Sequence, residues 1–527
     1  MTMATSGRRL LPMQSPRTGV ETFAWLIRAI RAYHPSPDIR DTATFARRLA
    51  TYGTELRPTT INRLENAELS FTIERCLSYE EALQLAPYDL VDPFLYLTRI
   101  GGATPGTALA KLGQASHLEL ELLWRLGRGE QIAPYEWIRL AYLYRNRPDL
   151  FTATERMREA FFGRLMEDAG RCYEKDLRLI REALIVIGDD VSEHVAARCR
   201  DDPLHYFNTT EALGFMDGEQ SWSTLLSLGD TLDDGVLAGT IIEPVIRRFR
   251  ALSESNDVAP STVGAITDYS AAALCRTDVL YTAREEALVW ASQPNVQLTV
   301  RARHAIADLR EDVAQLRLKP ATFEPEPFLG TLLGEFADLL EAEELIPAGL
   351  PPRVPGVGQV LGRGIFSQAR VSRLAVGLLL RSWHLTDPLT DALGRALHRV
   401  SPADYGVQRA IVRMMVKLGS PRRHPYFSAF GRTPKREDGV RLVAAWALGE
   451  GEDSADQTVL AKLYGDATTR DTKRVIVTAA ERRAFVELLA TLSHDSDSVV
   501  ASEAERALRR LGASKAHRPD DPPAAGA

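Results

Sequence analysis

Hydrophobic residues recur at helical spacing along most of this chain. In residues 22–33, "TFAWLIRAIRAY", the apolar positions Phe23, Leu26, Ile27 and Ile30 fall at i, i+3, i+4 and i+7. This is the stripe that an amphipathic helix buries. Two Pro residues within 34–37 end the pattern, because proline disrupts a helix interior.

Two further helices follow at short intervals. Asp41 suits an N-cap, and the helix after it is predicted to bury Phe45 and Leu49. Gly53 ends that helix. A third helix is predicted to start near Pro58, because the missing N–H of proline costs little in a first turn. One or two more helices, interrupted by proline, complete the first hundred residues.

The third helix combines an apolar inner face with a polar outer face. Ile61 and Leu64 point inward, three residues apart. The outer face carries four hydrogen-bonding side chains at i, i+3, i+4 and i+7, namely Thr59, Asn62, Arg63 and Asn66. Arginine pairs with guanine, asparagine with adenine, and threonine contacts phosphate or the thymine methyl group. Arg57 and the free N–H groups at the helix start suit phosphate.

This order of elements is typical of a helix-turn-helix domain. The stretch "FARRLATYGTELRPTTINRLENAELSFTIERCLSYEEALQL" resembles the Cro/C1 (xenobiotic-response-element) family, and the resemblance covers about residues 22–97. Four residues match the family core: Thr60, Ile61, Arg63 and Glu65. The resemblance implies that the third helix lies in the major groove. By position, it assigns DNA contacts to Arg57, Thr59, Thr60, Asn62 and Arg63.

The chain departs from the family pattern at two places. The turn from Leu49 to Leu56 is longer than in compact members, and Asn66-Ala67 replaces the usual glycine after the glutamate. Glu65 itself is expected to pair with Arg63 or to cap a backbone group, and not to touch a base. The alternative interpretation is a small helical bundle that caps a larger one and has no role in DNA binding.

Composition changes this picture in one respect. The 527 residues include 45% hydrophobic and 25% charged residues, with a net charge of -6. Residues 1–64, however, carry ten Arg against four acidic residues, and this basic start suits a phosphate backbone. Only eight of the 64 basic residues are Lys, a bias that is typical of a GC-rich bacterial genome and says nothing about DNA.

From about residue 105 onward, small residues recur every three or four positions within apolar helices. Examples are "NVQLTVRARHAIADL" (295–309), "YGVQRAIVRMMVKLG" (405–419), "DGVRLVAAWALGEG" (438–451) and "DSVVASEAERALRRLG" (497–512). They resemble the second helix of HEAT-type repeats, in which small residues let helix pairs stack closely. The resemblance predicts an α-solenoid, and an ordinary multi-helix bundle is the alternative.

The predicted organisation has six parts, within an all-α chain too long for one core. They are a flexible tail (1–20), the helix-turn-helix domain (21–100), a first helical region (108–318), a Pro/Gly-rich linker with one short helix (319–364), a HEAT-like region (365–512) and a disordered tail (513–527). The first linker is expected in "GGATPGT" (101–107). No apolar run reaches the 20 residues that a membrane span needs, and no secretory leader is evident, so we expect a cytoplasmic protein.

Candidate chemistry outside the first domain is sparse. "GVGQVLGRG" (356–364) lacks the Lys-Ser/Thr ending of a phosphate loop and is expected to be a flexible loop. His194, Cys199 and His205 fit no zinc spacing. The basic run 420–437 is expected to be a loop whose aromatic residues pack inward, with a nucleic-acid role as the alternative. Without a recognisable catalytic motif, we expect no enzyme, no metal and no cofactor.

The sequence therefore favours a transcriptional regulator that binds double-stranded DNA as a homodimer. Its long helical region would then bind a small molecule or a protein as effector, or hold the oligomer together. The competing hypothesis is an α-solenoid scaffold for protein interactions that has no sequence-specific DNA binding. Salt-dependent and sequence-dependent DNA binding separates the two.

Overall fold

The computed structural model describes residues 19–100, 117–231, 325–431 and 456–516, with gaps of one to three residues inside these ranges and a few single residues outside them. Secondary structure in these ranges is helical, and no strand occurs there, which confirms the all-α prediction. None of the helices described is long and apolar enough to cross a membrane.

The first hundred residues form a run of helices that follows the predicted order. They are α1 (Gly19–Ala32), α2 (Pro37–Arg40), α3 (Thr42–Thr51), α4 (Pro58–Glu65), α5 (Ile73–Leu83) and α6 (Val91–Ile100). The first helix begins three residues before its predicted start at residue 22. The single turn α2, which the sequence pattern does not predict, directly precedes the Asp41 cap of α3.

The remaining helices are numbered in chain order. The middle of the chain holds α7 (His117–Gly127), α8 (Pro134–Asn146), α9 (Asp149–Thr152), α10 (Glu155–Arg171), α11 (Glu174–Ile187), α12 (Asp189–Asp201), α13 (Pro203–Tyr206), α14 (Thr210–Leu213) and α15 (Glu219–Thr231). After the next gap come α16 (Pro325–Ala342), α17 (Val357–Phe366), α18 (Arg370–Arg381), α19 (Thr386–Arg399), α20 (Tyr405–Leu418) and, after a 3-10 turn (Pro421–Arg423), α21 (His424–Gly431). The last are α22 (Asp456–Gly465), α23 (Arg470–Arg482), α24 (Val486–Leu492) and α25 (Ser498–Ala516).

The chain divides into two compact units. The first comprises residues 1–398 with 417–420, and the second comprises 399–416 with 421–527. The first unit therefore contains the predicted helix-turn-helix region together with the helices that follow it.

An aromatic cluster forms the core of α1–α6. Phe23 on α1 meets Phe71 edge to face at 5.3 Å, and Phe71 meets Tyr79 on α5 at the same distance. Tyr79 also packs against Phe45 on α3, again at 5.3 Å. Edge-to-face pairs of this kind add about 0.5–1.5 kcal/mol each to the burial of the rings. The cluster joins three helices into one core.

The other side of α1 is buried as well, which the one-sided apolar stripe does not predict. Trp25 is 4% exposed and lies edge to face with Trp383, with ring centroids 6.1 Å apart. Its indole N–H donates to the carbonyl of Pro355 at 2.9 Å. At the end of the helix, the Tyr33 hydroxyl donates to the carbonyl of Pro351 at 3.1 Å. Helix α1 is thus covered on both sides within the first unit.

Helix α6 and the loop before it make further contacts within this unit. Asp92 on α6 accepts a hydrogen bond at 2.7 Å from Nε of Arg178 on α11, and the two buried side chains form an ion pair with a closest N–O distance of 2.6 Å. The ring of Tyr88 stacks on Tyr135 of α8 with centroids 4.2 Å apart. The carbonyl of Asp89 accepts from the Ser382 hydroxyl at 2.5 Å.

The glycine-rich stretch 356–364 is a helix, and the prediction of a flexible loop was wrong. Residues Val357–Phe366 form α17, so the predicted linker contains two helices instead of one. Gly358 and Gly362, one turn apart on α17, face α16. A Cβ at Gly358 would lie 2.8 Å from Leu333, and one at Gly362 would lie 3.2 Å from Leu329. These glycines therefore permit a close helix–helix approach.

The second unit holds the clearest test of the HEAT-like segments. Segments 405–419 and 497–512 are helical, as α20 and α25, whereas 295–309 and 438–451 lie almost entirely outside the described residues. Helix α25 packs on α23 through a buried ion pair, Arg474–Glu503 at 2.7 Å. A solenoid order stays a prediction. Helix α25 also continues to Ala516, so the predicted disordered tail from residue 513 starts too early.

Candidate nucleic-acid interface

The candidate interface is the surface formed by α3, the turn after it, and α4. The Asp41 carboxylate accepts the N–H of Thr44 at 2.8 Å, as expected for an N-cap. Helix α4 starts with Pro58 at its first position, and its inner residues Ile61 and Leu64 are fully buried. The sequence pattern therefore predicted the start and the inner face of α4 correctly.

Hydrogen bonds fix the long turn between α3 and α4. Gly53 takes a left-handed conformation with φ +81°, and the N–H of Thr54 returns to the carbonyl of Leu49 at 3.1 Å. The hydroxyls of Thr54 and Ser78 lie 2.6 Å apart, and the Ser78 hydroxyl also lies 3.1 Å from the carbonyl of Tyr52. Because Ser78 belongs to α5, this helix holds the turn from behind.

The five residues that the resemblance assigns to DNA contact lie on one short stretch with different degrees of exposure. Arg57, Thr59 and Arg63 are exposed, whereas Thr60 and Asn62 are half-buried. Among the described residues, no hydrogen-bond partner engages the side chains of Arg57, Thr59, Thr60 or Asn62. Arg63 lies 3.5 Å from Glu68, with both side chains more than half exposed, and a surface pair of this kind is weak. The outer face of α4 is accessible.

Glu65 is held by α1 and does not pair with Arg63, so this part of the sequence prediction was wrong. Arg31 donates to the two carboxylate oxygens at 2.6 and 2.7 Å, and its third hydrogen bond goes to the carbonyl of Arg40 at 2.7 Å. Burial disfavours the charged form of Arg31, yet the adjacent carboxylate outweighs this effect and raises the pKa of the guanidinium. The pair fixes the end of α4 to α1.

A second contact joins the same two helices. Arg28 donates to the side-chain oxygen of Asn66 at 2.7 Å. Asn66 closes the polar row predicted for the outer face, and this hydrogen bond turns it toward α1. The row available for bases is therefore shorter than the helical spacing suggests, and it ends at Arg63.

Ala67 occupies the position at which the family has glycine. Its φ is +58°, in the left-handed region that favours glycine. The N–H of Glu68 then donates to the carbonyl of Arg63 at 2.8 Å, and this bond closes the end of α4. An alanine in this conformation costs about 1 kcal/mol or more. The end of α4 is thus closed by an alanine in the left-handed region.

The positive charge of the first segment is only partly available to a phosphate backbone. Arg31 is neutralised by Glu65, and Arg40 donates to the carbonyls of His34 and Pro35. The exposed cations of α3, α4 and the turn between them are Arg47, Arg57 and Arg63. Arg8, Arg9 and Arg17 lie outside the described residues.

The other candidate sites contain no ligand cluster in the part of the chain that the structure describes. No group of three His, Cys, Asp or Glu residues there could hold a metal ion. In the basic run 420–437, Arg423 is buried and donates to the carbonyl of Val416 at 3.0 Å, and Phe427 is fully buried. Residues 421–431 form a 3-10 turn and α21 instead of the predicted loop, and 432–440 lie outside the described residues.

The packing of α1 could not be found from the sequence pattern. Trp25 lies opposite the predicted apolar stripe and Tyr33 lies at the edge of the stripe, and their partners follow more than 300 residues later. The tryptophan opposite the apolar stripe is the signal of a second contact that the sequence offers. Comparison of the chain with family models, with curated proteins and with solved structures gives no match.

Proposed function

We propose that this chain is a sequence-specific DNA-binding transcriptional regulator that inserts α4 into the major groove. The observation that carries the proposal is the two-sided character of α4. Ile61 and Leu64 are buried and Glu65 is locked to Arg31, whereas Arg57, Thr59 and Arg63 are exposed. A rigid helix with accessible Arg, Asn and Thr side chains has the donors that read base edges.

The experiment compares DNA upstream of the chain's own gene with random duplex of equal length. Fluorescence anisotropy at about 50 mM and about 200 mM salt separates specific from purely electrostatic binding. We expect a clear preference for the upstream DNA and a steep loss of affinity with salt. Equal affinity for both duplexes would contradict the proposal.

Point variants locate the binding surface. Arg63→Ala and Asn62→Ala should each weaken binding to the preferred duplex by about 1–3 kcal/mol and leave binding to random DNA nearly unchanged. Arg57→Ala should weaken both duplexes evenly, since it is assigned to phosphate. The matched control is Arg145→Ala, which removes an exposed arginine of α8. Equal losses for the three arginine variants, with no loss for Asn62→Ala, would show that charge alone matters.

Homodimerisation and an effector on the helical region remain parts of the proposal. A two-fold dimer binds half-sites about one helical turn apart, so footprinting should show two protected stretches with that spacing. A single protected half-site would indicate a monomeric reader.

A protein-interaction scaffold is the second candidate, and one observation favours it. On α7, Leu120 and Trp124 lie one turn apart and are 49% and 59% exposed. Contiguous exposed apolar patches are typical of surfaces that bind other proteins, and these two side chains would form the centre of such a patch. Absence of salt-sensitive DNA binding, together with capture of a protein partner that Trp124→Ala abolishes, would favour this candidate.

A further inference from the structure

A groove lies between α16 and α17, in the part of the first unit that α1 contacts. Its volume is about 550 Å³, within the range of small-molecule sites. The residues lining it include the apolar side chains Leu329, Leu333, Phe336, Val354 and Val357. These residues do not belong to the candidate nucleic-acid interface.

Glycines shape one wall of this α16–α17 groove. Gly330 on α16 lines the groove, and a Cβ built there meets nothing within 4 Å. Gly334, one turn later on the same helix, is equally open but does not line the groove. A large side chain at Gly330 would therefore fill the groove, whereas the same side chain at Gly334 would not.

The polar groups in the groove favour an anion. Arg353 lines it and is exposed, and none of the described residues forms an ion pair with its guanidinium. Glu326 also lines it, but this carboxylate lies in the first turn of α16, where the helix dipole stabilises a negative charge. Arg353 is the one cation among the described residues that line the groove, and the helix dipole offsets part of the charge of Glu326, so an anionic group would be held at Arg353.

The end of the groove touches α1. Gly356 has a φ of +84°, and a Cβ there would lie 2.7 Å from the indole nitrogen of Trp25. That indole donates to the carbonyl of Pro355, next to the lining residue Val354. A second path runs through Phe336, which lines the groove and lies edge to face with Trp383 at 5.8 Å. Both sets of contacts connect the groove to Trp25.

We propose that the α16–α17 groove binds a small apolar molecule carrying one anionic group, held by Arg353, and that Trp25 transmits its presence to α1. The first part stands without any role in DNA binding. The second part rests on the proposed function, because α1 holds α4 through Arg31 and Glu65.

The test uses two fluorescent probes with similar aromatic bodies. The first, 8-anilinonaphthalene-1-sulfonate, carries one anion, and the second, N-phenyl-1-naphthylamine, is neutral. Gly330→Trp should weaken binding of both probes by about tenfold or more, while Gly334→Trp leaves both within about twofold of the unchanged chain. Arg353→Gln should weaken only the anionic probe, by about fivefold, since the contact is exposed.

Equal affinities in Gly330→Trp and Gly334→Trp would overturn the site, and equal loss of both probes in Arg353→Gln would overturn the choice of an anion. Circular dichroism of each variant shows that it folds.

Amide hydrogen exchange then tests the link to α1. At a probe concentration about ten times Kd, exchange in residues 19–32 should slow by up to about tenfold in Gly334→Trp and not in Gly330→Trp.

The DNA experiment is a separate arm. Saturating anionic probe should change the affinity for the upstream duplex in the unchanged chain and in Gly334→Trp, but not in Gly330→Trp. If no variant binds DNA specifically while the probe results hold, the proposed function fails and the ligand site stands. If DNA binding is specific and the probe does not change it, the link through Trp25 fails.

Discussion

Removing the Glu65 carboxylate should loosen α4 more than any change on its outer face. Two charge-assisted hydrogen bonds of 2.6 and 2.7 Å join Glu65 to Arg31, and the two side chains are 2% and 8% exposed. Removing one partner of a buried pair costs about 3–5 kcal/mol, because the other charge stays buried. The remaining hydrogen bond from Arg31 to the carbonyl of Arg40 leaves that charge unneutralised. Glu65→Ala should therefore lower the opening free energy of α4 by about 3 kcal/mol.

Replacing both partners should reverse most of this loss. The double variant Arg31→Met with Glu65→Leu keeps the volume and removes both charges. The Arg31 guanidinium lies 5.7 Å from the ring centroid of Phe45, so the new apolar groups would be placed in an aromatic environment. Substitutions of this kind are often neutral or stabilising. The double variant should accordingly be more stable than either single variant.

Amide hydrogen exchange of residues 58–65 measures this opening locally, which matters because a chain with two units does not unfold as one. A loss of about 3 kcal/mol accelerates exchange by about a hundredfold. The control Arg63→Ala breaks only an exposed pair with Glu68 and should change the opening free energy by less than about 0.5 kcal/mol. The reasoning would be refuted if residues 58–65 exchanged as fast in the double variant as in Glu65→Ala. It would also be refuted if they exchanged no faster in Glu65→Ala than in the control.

Three further predictions concern the same unit. Ala67→Gly should stabilise the end of α4 by about 1 kcal/mol, because the φ of Ala67 is +58°. Ala50→Gly, in the ordinary helical conformation of α3, should destabilise that helix by a similar amount. Amide exchange should become slower near residue 67 in the first variant and faster near residue 50 in the second. Glu80 accepts three backbone N–H groups at 2.6–2.8 Å at the start of α6, so Glu80→Gln, which turns one acceptor into a donor, should cost about 1–3 kcal/mol and speed exchange in residues 88–91. Burial, followed by the nearby His34, lowers the pKa of His384 to about 4 from an ordinary 6.5. The neutral ring therefore contributes stability above pH 6.5 that is lost as the pH falls toward 4, by about 3 kcal/mol at most. In His384→Gln, the melting temperature should depend less on pH over this range. An unchanged pH dependence would mean that another group is responsible for it.

Local periodicity was enough to predict α4. The spacing of Ile61 and Leu64 identified its buried face, and Pro58 identified its start. Both signals act within one or two turns, where side-chain direction follows from helix geometry alone. The exposure of Arg57 and Arg63 follows from the same geometry.

Partners distant in sequence were not predictable in the same way. Arg31 and Glu65 are separated by 34 positions, and any of several arginines could have satisfied Glu65. The choice depends on the angle at which α1 crosses α4, which no local pattern contains. Asn66 was misjudged for the same reason, since its partner Arg28 also lies on α1.

The glycines of residues 356–364 show how composition can mislead. Glycine lowers helix propensity by about 1 kcal/mol, so several in a short stretch predict a loop. Here Leu329 and Leu333 of α16 occupy the space that side chains at Gly362 and Gly358 would take. The buried residues Val360, Leu361 and Ile365 stabilise the helix through tertiary packing, which outweighs propensity.

Helix α1 links the candidate interface to the rest of the first unit. One side holds α4 through Arg31, and the other side packs on Trp383 and Pro355 through Trp25. Deleting residues 1–100 would therefore expose the partners of Trp25 and remove a structural element together with the candidate interface. Loss of DNA binding after such a deletion would not identify the contact surface. The outer-face variants leave α1 and its contacts in place, so only a loss confined to them can be attributed to α4.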